Sequence, residues 1–241
     1  MNVRIPSYKD IGNAIIYRLR IIFFKIQIFI QHDLKFLKYY EPNPFKNNKE
    51  RSDIGDQREC KNRLDNILSF IPNRAYSVLD IGCNVGYFTF NYAKLGGFCI
   101  GIDYGRNEVM IAKSFAEIHK VPNVAFSQME ISDNNILTLP KVDIVNCLSI
   151  YHHWARKFGE DHANSMLEKL CDRCERYFVF DSGQPDEDCV EWANRLNYML
   201  PDVEKYFNKL FNKFGFKEMQ NIGKYGTTVS KTKRNLYIAI K

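Results

Sequence analysis

An apolar run that ends in a glycine-containing turn is the part of this sequence best suited to holding a ligand. Residues 78–81 read Val-Leu-Asp-Ile, and residues 82–86 continue as Gly-Cys-Asn-Val-Gly into a helical pattern. A ligand at such a strand-to-helix turn meets backbone N–H groups and the N-terminus of a helix. Gly82 and Gly86 allow the backbone to approach it closely. Asp80, at the end of the strand, is expected to order the turn.

A second acidic residue ends the next apolar run. Asp103 closes the sequence Gly-Ile-Asp and lies 23 residues after Asp80. A carboxylate at this separation can accept hydrogen bonds from both hydroxyls of a bound ribose. The two elements together indicate a nucleoside-containing cofactor. NAD and S-adenosylmethionine both remain candidates at this point, because domains for either have a glycine turn and such an acid.

The wider pattern resembles the class I S-adenosylmethionine-dependent methyltransferases. It has Asp-x-Gly-x-Asn-x-Gly in place of Gly-x-Gly-x-x-Gly, Glu130 just beyond the third predicted strand, and residues 149–153 (Ser-Ile-Tyr-His-His) at the end of the fourth. The resemblance covers residues 77–181 closely. It implies that Gly82 and Gly86 lie under the methionine portion of the cofactor and that Asp103 binds the ribose. A Cβ at either glycine would occupy the space that the methionine portion needs.

The same resemblance implies the rest of the cofactor site. Met129 would pack on the adenine and Glu130 would accept a hydrogen bond from its amino group, while Asp80 would accept from the amino group of the methionine. The sequence departs from the family at Asn84, where Gly is usual, and at Glu130, where Asp is commoner; Asn tolerates a positive φ better than most residues. The predicted cofactor-binding residues are Arg63, Asp80, Gly82, Cys83, Gly86, Asp103, Tyr104, Met129, Glu130 and Leu148.

A narrower resemblance is to the methyltransferase domains that cap bacterial O-antigen polysaccharides. It is carried by residues 57–64, by the turn after Asp80, by residues 149–153 and by the closing Arg-Asn-Leu-Tyr at 234–237. It implies that Arg63 binds the carboxylate of S-adenosylmethionine, a task suited to the planar guanidinium. The alternative for Arg63, and for Arg58, is an exposed position on a helix.

His152 and His153 are the predicted catalytic residues. They follow an apolar strand, at the edge of the sheet where the methyl acceptor is expected. A hydroxyl acceptor benefits from a general base, and the ordinary histidine pKa of ~6.5 suits that task near neutral pH. A phosphate oxygen is already anionic and needs none. The alternative role for the pair is packing against the sheet.

Composition and charge limit the remaining possibilities. The chain has 241 residues, 45% of them hydrophobic, a net charge of +6 and seven scattered cysteines. Residues 1–40 hold seven Lys and Arg against two Asp, so most of the excess charge lies there and nucleic acid is not an expected partner. The odd cysteine count predicts a cytoplasmic protein. Cys171 and Cys174 lack the second ligand pair of a zinc site, and no metal is predicted.

Apolar runs and helical patterns alternate from residue 77 onward. This alternation predicts an α/β fold, a Rossmann-like doubly wound sheet of seven strands that is mostly parallel, with an antiparallel C-terminal strand and additional N-terminal helices. The predicted strands are 77–81, 98–103, 124–127, 142–148, 177–181, one after residue 216, and 235–240; the predicted helices are 57–70, 86–95, 107–119, 161–174 and 189–214.

The predicted domains are a basic amphipathic helical segment with a linker at 1–56 and a methyltransferase domain at 57–241. Arg18, Arg20 and Lys25 interrupt the apolar residues of the first segment, so it is too polar to cross a membrane. It is expected to pack over the cofactor site as a lid, or simply to cover the sheet. It is also suited to an anionic membrane, where residues 11–40 would make a peripheral contact at the inner face, and the two roles are compatible.

The sequence therefore predicts an S-adenosylmethionine-dependent O-methyltransferase. The expected acceptor is a glycan or glycan phosphate in surface-polysaccharide biosynthesis. The alternatives are methylation of tRNA or of a small metabolite, a non-catalytic module that binds S-adenosylmethionine, and a nicotinamide-dependent dehydrogenase.

Overall fold

A seven-stranded sheet forms the centre of the structure, which is a computed structural model describing residues 8–28, 41–45, 59–188 and 190–241. The strand order is β3-β2-β1-β4-β5-β7-β6; β1 to β5 are parallel, and β7 runs antiparallel to both of its neighbours. The predicted fold class is confirmed. The strands are β1 Val78–Ile81, β2 Cys99–Asp103, β3 Val124–Gln128, β4 Val142–Leu148, β5 Cys174–Asp181, β6 Glu218–Tyr225 and β7 Arg234–Ile240.

Helices cover both faces of this sheet. They are α1 Tyr8–Ile28, α2 Cys60–Phe70, α3 Tyr87–Ala93, α4 Arg106–His119, α5 Tyr151–Phe158, α6 Glu160–Cys171 and α7 Val203–Lys213, with short 3₁₀ helices at Ile136–Thr138 and Ala193–Met199. All four residues of β1 are buried, because a central parallel strand is covered on both sides. Leu79 and Ile81 pack in one core cluster and Val78 in another, as the alternation of side chains along a strand requires.

Two predicted helices differ from those in the structure. Instead of one helix over 189–214, the 3₁₀ helix Ala193–Met199 and α7 are separated at Leu200 and Pro201; Cys189 lies outside the described residues. Proline lacks the N–H that a helix needs and disfavours the helical conformation in the residue before it. The predicted helix 161–174 ends at Cys171, and Cys174 begins β5. The helix α5, which carries both histidines, was not predicted.

The described part of the N-terminal region packs along α4. Arg20 forms an ion pair with Glu117 at 3.2 Å, and Phe45 stacks on His119 with 3.7 Å between ring centroids. The predicted domain boundary at residue 56, Arg58 and most of the linker lie outside the described residues, so the division into domains stays a prediction. None of the helices in the described ranges combines the length and apolarity that a membrane crossing needs.

Candidate functional site

Two adjoining cavities lie at the carboxyl ends of β1, β2 and β4, where ligands bind in doubly wound sheets. One, of about 390 Å³, is lined by Trp192 and is called here the Trp192 cavity. The other, of about 240 Å³, is lined by Met129 and is called the Met129 cavity. Gly82, Asp103, Tyr104, Ile150 and His153 line both, so the two cavities form one cleft.

Positive φ angles shape the turn between β1 and α3. They are +74° at Gly82, +47° at Asn84 and +88° at Gly86. The backbone N–H groups of Gly82 and Cys83 donate to the carbonyl of Ile102. The backbone amides of the turn thus hydrogen-bond it to β2. Asn84 has the left-handed conformation that its residue type tolerates.

The reason for glycine at residue 86 differs from the one predicted. A Cβ on Gly86 would lie 2.9 Å from the ring of Phe126 and 3.0 Å from that of Phe90. At Gly82 a Cβ would strike the end of the Ile150 side chain. The expectation that a Cβ at residue 86 would occupy the space of a ligand is therefore wrong. Gly86 is required by the packing beneath the turn and by its φ.

Asp103 lies where the two cavities meet. One carboxylate oxygen accepts from the N–H of Asn84 at 2.9 Å and the other from the N–H of Gly105 at 2.8 Å. Burial raises the pKa of this carboxyl group, while these backbone hydrogen bonds oppose the rise. The carboxylate thereby joins the β1–α3 turn to the end of β2 at a point that faces both cavities.

Asp80 is buried beneath the turn. It accepts hydrogen bonds from the Thr89 hydroxyl and from the Asn146 amide, each at 2.6 Å. Burial raises its pKa to about 6. Asp80 thus orders the turn through α3 and β4, as expected, and its contact with a ligand stays a prediction. Cys83 is also buried, and burial raises the pKa of its thiol well above the ordinary value.

The Met129 cavity is mainly apolar. Met129 and Ile131 line it, and the Met129 N–H donates to the Asp103 carbonyl at 2.8 Å. The Glu130 carboxylate accepts from Lys157 at 2.7 Å on the exposed rim. Tyr104, 78% exposed, stands at the entrance. A flat apolar group fits between these side chains, and Asp103 would lie at one end of it.

Aromatic and charged residues form the wall of the Trp192 cavity. Arg234 is buried and donates to both carboxylate oxygens of Glu187, at 2.7 and 2.9 Å, and to the Ser149 hydroxyl at 3.2 Å. Its guanidinium carbon lies 5.3 Å from the centroid of the Trp192 ring. The lining also includes the acidic residues Glu41, Asp103 and Glu108 and the apolar Leu148. The Glu187 carboxylate balances the charge of Arg234 and holds its guanidinium in place.

Arg63 lies behind this wall. Its guanidinium donates to the Asp181 carboxylate and to the Gly226 carbonyl. Asp181 also accepts from the backbone N–H and hydroxyl of Ser149. The described residues that line the two cavities do not include Arg63. Its contact with a ligand carboxylate stays a prediction.

The two histidines lie side by side but in different surroundings. His152 is buried, and its Nδ1 accepts from the backbone N–H of Gly183 at 3.0 Å. Its ring packs between His153 and Trp192, with centroids 4.2 and 4.6 Å away. His153 is exposed in the cleft. Desolvation by neighbouring atoms and the positive charges of Arg234 and Arg156 lower the pKa of His153.

Several residues that line the cleft had no role assigned from the sequence, among them Glu41, Ser149, Trp192 and Arg234. Glu41 is buried, and its carboxylate accepts from the N–H of Tyr87 at the start of α3. Ser149 and Arg234 carried a usable signal, since both belong to segments that support the narrower resemblance, 149–153 and 234–237.

Comparison with known proteins identifies related sequences and folds. Residues 72–190 match the sequence model of a family described as "Methyltransferase domain". The O-antigen chain terminator bifunctional methyltransferase/kinase WbdD of Escherichia coli is 30% identical over 122 residues, which cover 48% of this chain and 17% of WbdD. A ubiquinone biosynthesis O-methyltransferase of Glaesserella parasuis is 31% identical over 80 residues, 32% of this chain and 34% of that protein.

Solved structures show the same fold. A crystal structure of WbdD superimposes with a TM-score of 0.70 at 23% identity, over 90% of this chain and 46% of the other. Magnesium protoporphyrin IX methyltransferase from Synechocystis PCC 6803, solved with bound S-adenosylmethionine, gives a TM-score of 0.57 at 19% identity, over 78% of this chain and 80% of the other. The chain thus spans less than half the length of the WbdD structure.

Proposed function

The chain carries a class I S-adenosylmethionine-dependent methyltransferase domain, and on this premise we propose that it methylates an oxygen of a glycan or glycan phosphate in surface-polysaccharide biosynthesis. The observation that carries the proposal is the wall of the Trp192 cavity, where an indole and a buried guanidinium lie side by side. This wall adjoins the part of the cleft that suits the cofactor.

The cleft fits S-adenosylmethionine. The apolar Met129 cavity suits the adenine, and the Asp103 carboxylate at its end suits the ribose hydroxyls. The methionine portion would then extend past Gly82 toward Leu148 in the Trp192 cavity. This arrangement leaves His153 and Trp192 on the side of the transferred methyl group.

Trp192 and Arg234 support a polar acceptor that also has an apolar ring face. Trp192 is 8% exposed, with the Arg234 guanidinium over its ring and the His152 ring 4.6 Å away, so it offers a small apolar patch to the C–H groups of a sugar. Arginine is well suited to binding a phosphate or a hydroxyl-rich group through directed N–H donors. The likeness to WbdD, whose name describes an O-antigen chain terminator, supports the same class of acceptor.

The reaction itself is a displacement at the methyl carbon. S-adenosylmethionine supplies the methyl group, which passes from its sulfur to the acceptor oxygen. The protein positions the two reactants in line within a cleft that partly excludes water. A hydroxyl acceptor must also lose a proton, for which His153 is the better placed base, because Nδ1 of His152 is already engaged by Gly183.

A screen with methyl-labelled S-adenosylmethionine tests the proposal. The acceptors are lipid-linked or free surface-glycan precursors, the same glycans with a terminal phosphate, bulk tRNA and quinone precursors. We expect label to enter a glycan or a glycan phosphate. Label that enters only tRNA or only the quinone precursors would contradict the proposal.

Variants of the wall separate acceptor binding from cofactor binding. Trp192→Ala and Arg234→Lys should raise the KM for the glycan roughly tenfold or more while the Kd for S-adenosylmethionine changes little. Leu137→Ala is a matched control, since Leu137 is an exposed apolar residue outside the cleft. An unchanged KM in both wall variants would remove Trp192 and Arg234 from the acceptor site.

A further inference from the structure

One face of α1 presents a continuous apolar surface to solvent. Its large side chains are each between 51% and 65% exposed, namely Ile15, Ile16, Leu19, Ile22, Phe23 and Ile26. At 3.6 residues per turn these six positions fall within a sector of about 120° around the helix axis. Scattered apolar residues are common on protein surfaces, but a continuous helical stripe of this size marks an interaction site.

The opposite face of α1 is already used within the protein. Ile28 is buried in a core cluster with Phe115 and Phe126. Arg20 pairs with Glu117 of α4, and Phe24 lines the groove between the two helices. These contacts hold α1 against α4 and direct the apolar stripe away from the domain.

Basic residues border the apolar stripe. Arg18 and Lys25 are exposed and lie next to one edge of the sector, while Arg20, beyond the other edge, is paired with Glu117. The one acidic residue of α1, Asp10, lies in its first turn. An apolar sector bordered by basic residues is the pattern of helices that lie in the interface of a membrane.

The groove between α1 and α4 extends this surface. It has a volume of about 620 Å³, with Phe23, Phe24 and Phe126 among its apolar walls. Lys113 and Lys120, both exposed, are at its rim. The apolar and basic character of α1 therefore continues onto α4.

We propose that α1 binds this protein to the surface of an anionic phospholipid bilayer. The apolar stripe would enter the boundary between headgroups and acyl chains, and Arg18, Lys25 and the lysines of the groove would meet lipid phosphates. Charge favours this occupant over a second copy of the chain. Two copies pairing through the stripe would bring the cations at its edges together, and the residues of the stripe and its borders, 15–26, include no acidic partner for them.

Flotation with lipid vesicles tests the proposal on the full chain. The vesicles are equal parts phosphatidylglycerol and phosphatidylcholine in one arm and phosphatidylcholine alone in the other. We expect binding to the anionic vesicles to be roughly tenfold stronger and to weaken as salt is raised. Absence of binding to the anionic vesicles, or equal binding to both kinds, would overturn the proposal.

Substitutions locate the binding surface. Leu19→Glu and the pair Arg18→Glu with Lys25→Glu should each reduce binding to anionic vesicles at least about fivefold. Leu137→Glu, at a residue 51% exposed elsewhere, is the matched control and should bind like the wild type. Equal reduction in Leu137→Glu would overturn the assignment to α1. Sedimentation velocity provides a second readout. If the wild type does not bind vesicles but forms a dimer, and Leu19→Glu dissociates that dimer, the occupant of the stripe is a second copy of the chain.

Discussion

His152 and His153 are neighbours in sequence, but their nitrogen atoms have different partners. A backbone N–H can only donate, so Nδ1 of His152 must be an acceptor toward Gly183, and the proton of the neutral ring is on Nε2. Protonation of His152 would place two donors against each other. His152 is therefore suited to donating a hydrogen bond and to supporting Trp192, whereas His153 is the residue that can accept a proton from a hydroxyl.

The first prediction concerns the His153 base and a hydroxyl acceptor. Because the pKa of His153 is lowered, its neutral form persists below the ordinary pKa of ~6.5, and kcat should rise with pH through an ionisation below that value. His153→Gln should lower kcat by ~10²–10⁴-fold and abolish this step in the profile.

His162→Gln is the control, since His162 pairs with Asp133 outside the cleft. A loss below about tenfold in His153→Gln, with the pH profile unchanged, would rule out general-base catalysis by this residue. If kcat instead follows an ionisation near ~6 in both the wild type and His153→Gln, the result would indicate a phosphate acceptor.

The second prediction concerns Asp80 and stability. The pKa of Asp80 is about 6 in the folded protein, against the ordinary value of 3.8 that applies to the unfolded chain, so folding favours the protonated form. The stabilisation of the folded state by this protonation is complete below about pH 4 and is lost as the pH rises toward 6. The free energy of unfolding of the wild type, relative to Asp80→Asn, should fall by up to about 1.4 kcal/mol per pH unit in this window. Urea denaturation at several pH values in this window measures the free energy of unfolding. If the wild type and Asp80→Asn show the same pH dependence, Asp80 is not a buried carboxyl group with a raised pKa.

At the scale of elements, the β1–α3 turn depends on packing as much as on backbone freedom. Gly86 and Gly215, which follows the end of α7, have nearly equal φ, +88° and +87°, but a Cβ on Gly215 would meet no atom within 4 Å. The pair therefore separates the cost of the conformation from the cost of the clash.

The third prediction uses this pair. Gly215→Ala should cost about 1 kcal/mol of unfolding free energy for its φ alone. Gly86→Ala should cost at least about 1 kcal/mol more, because the Phe126 and Phe90 rings must shift. Gly86→Ala should also weaken the binding of S-adenosylmethionine, while Gly215→Ala should not. Chemical denaturation and calorimetry measure the two effects, and equal losses of stability would contradict the packing role of Gly86.

Local sequence signals predicted most elements and missed those that depend on context. Strands β1, β2 and β4 were identified because central parallel strands are buried and largely apolar. The helix predicted over 189–214 was too long because its apolar residues continue past Pro201, where the backbone cannot. The helix α5 was missed because residues 149–153 were assigned only to the end of a strand, although Tyr151 begins the helix.

At the scale of the whole molecule, the cleft is assembled from segments far apart in the chain. Glu41 comes from the N-terminal region, Trp192 from the segment after β5, and Arg234 from the last strand. The order β3-β2-β1-β4-β5-β7-β6 brings them together. Sequence motifs point to most of the residues predicted to bind the cofactor, because these lie at strand ends, whereas the residues proposed for the acceptor side come together only in the tertiary structure.

The network behind the cleft illustrates the same point. Arg63 of α2 donates a hydrogen bond to Asp181 of β5, and the Ser149 hydroxyl donates one to the same carboxylate. Arg234 of β7 donates in turn to the Ser149 hydroxyl. Spacing within the sequence predicts none of these partners. The surroundings of Arg63 in the structure include a carboxylate of the protein itself, whereas the resemblance implied a carboxylate of the cofactor.

Isothermal calorimetry of S-adenosylmethionine with Asp103→Ala tests the central claim most directly. Asp143→Ala is the matched control, because Asp143 also accepts from a backbone N–H, that of Ser77, but lies at the opposite end of the sheet. We predict that the wild type and Asp143→Ala bind S-adenosylmethionine and not NAD. Folded Asp103→Ala should bind S-adenosylmethionine at least about a hundredfold more weakly, because it loses two charge-assisted hydrogen bonds of about 1.5–3 kcal/mol each. Binding of NAD in place of S-adenosylmethionine, or equal affinity in the two variants, would contradict the account.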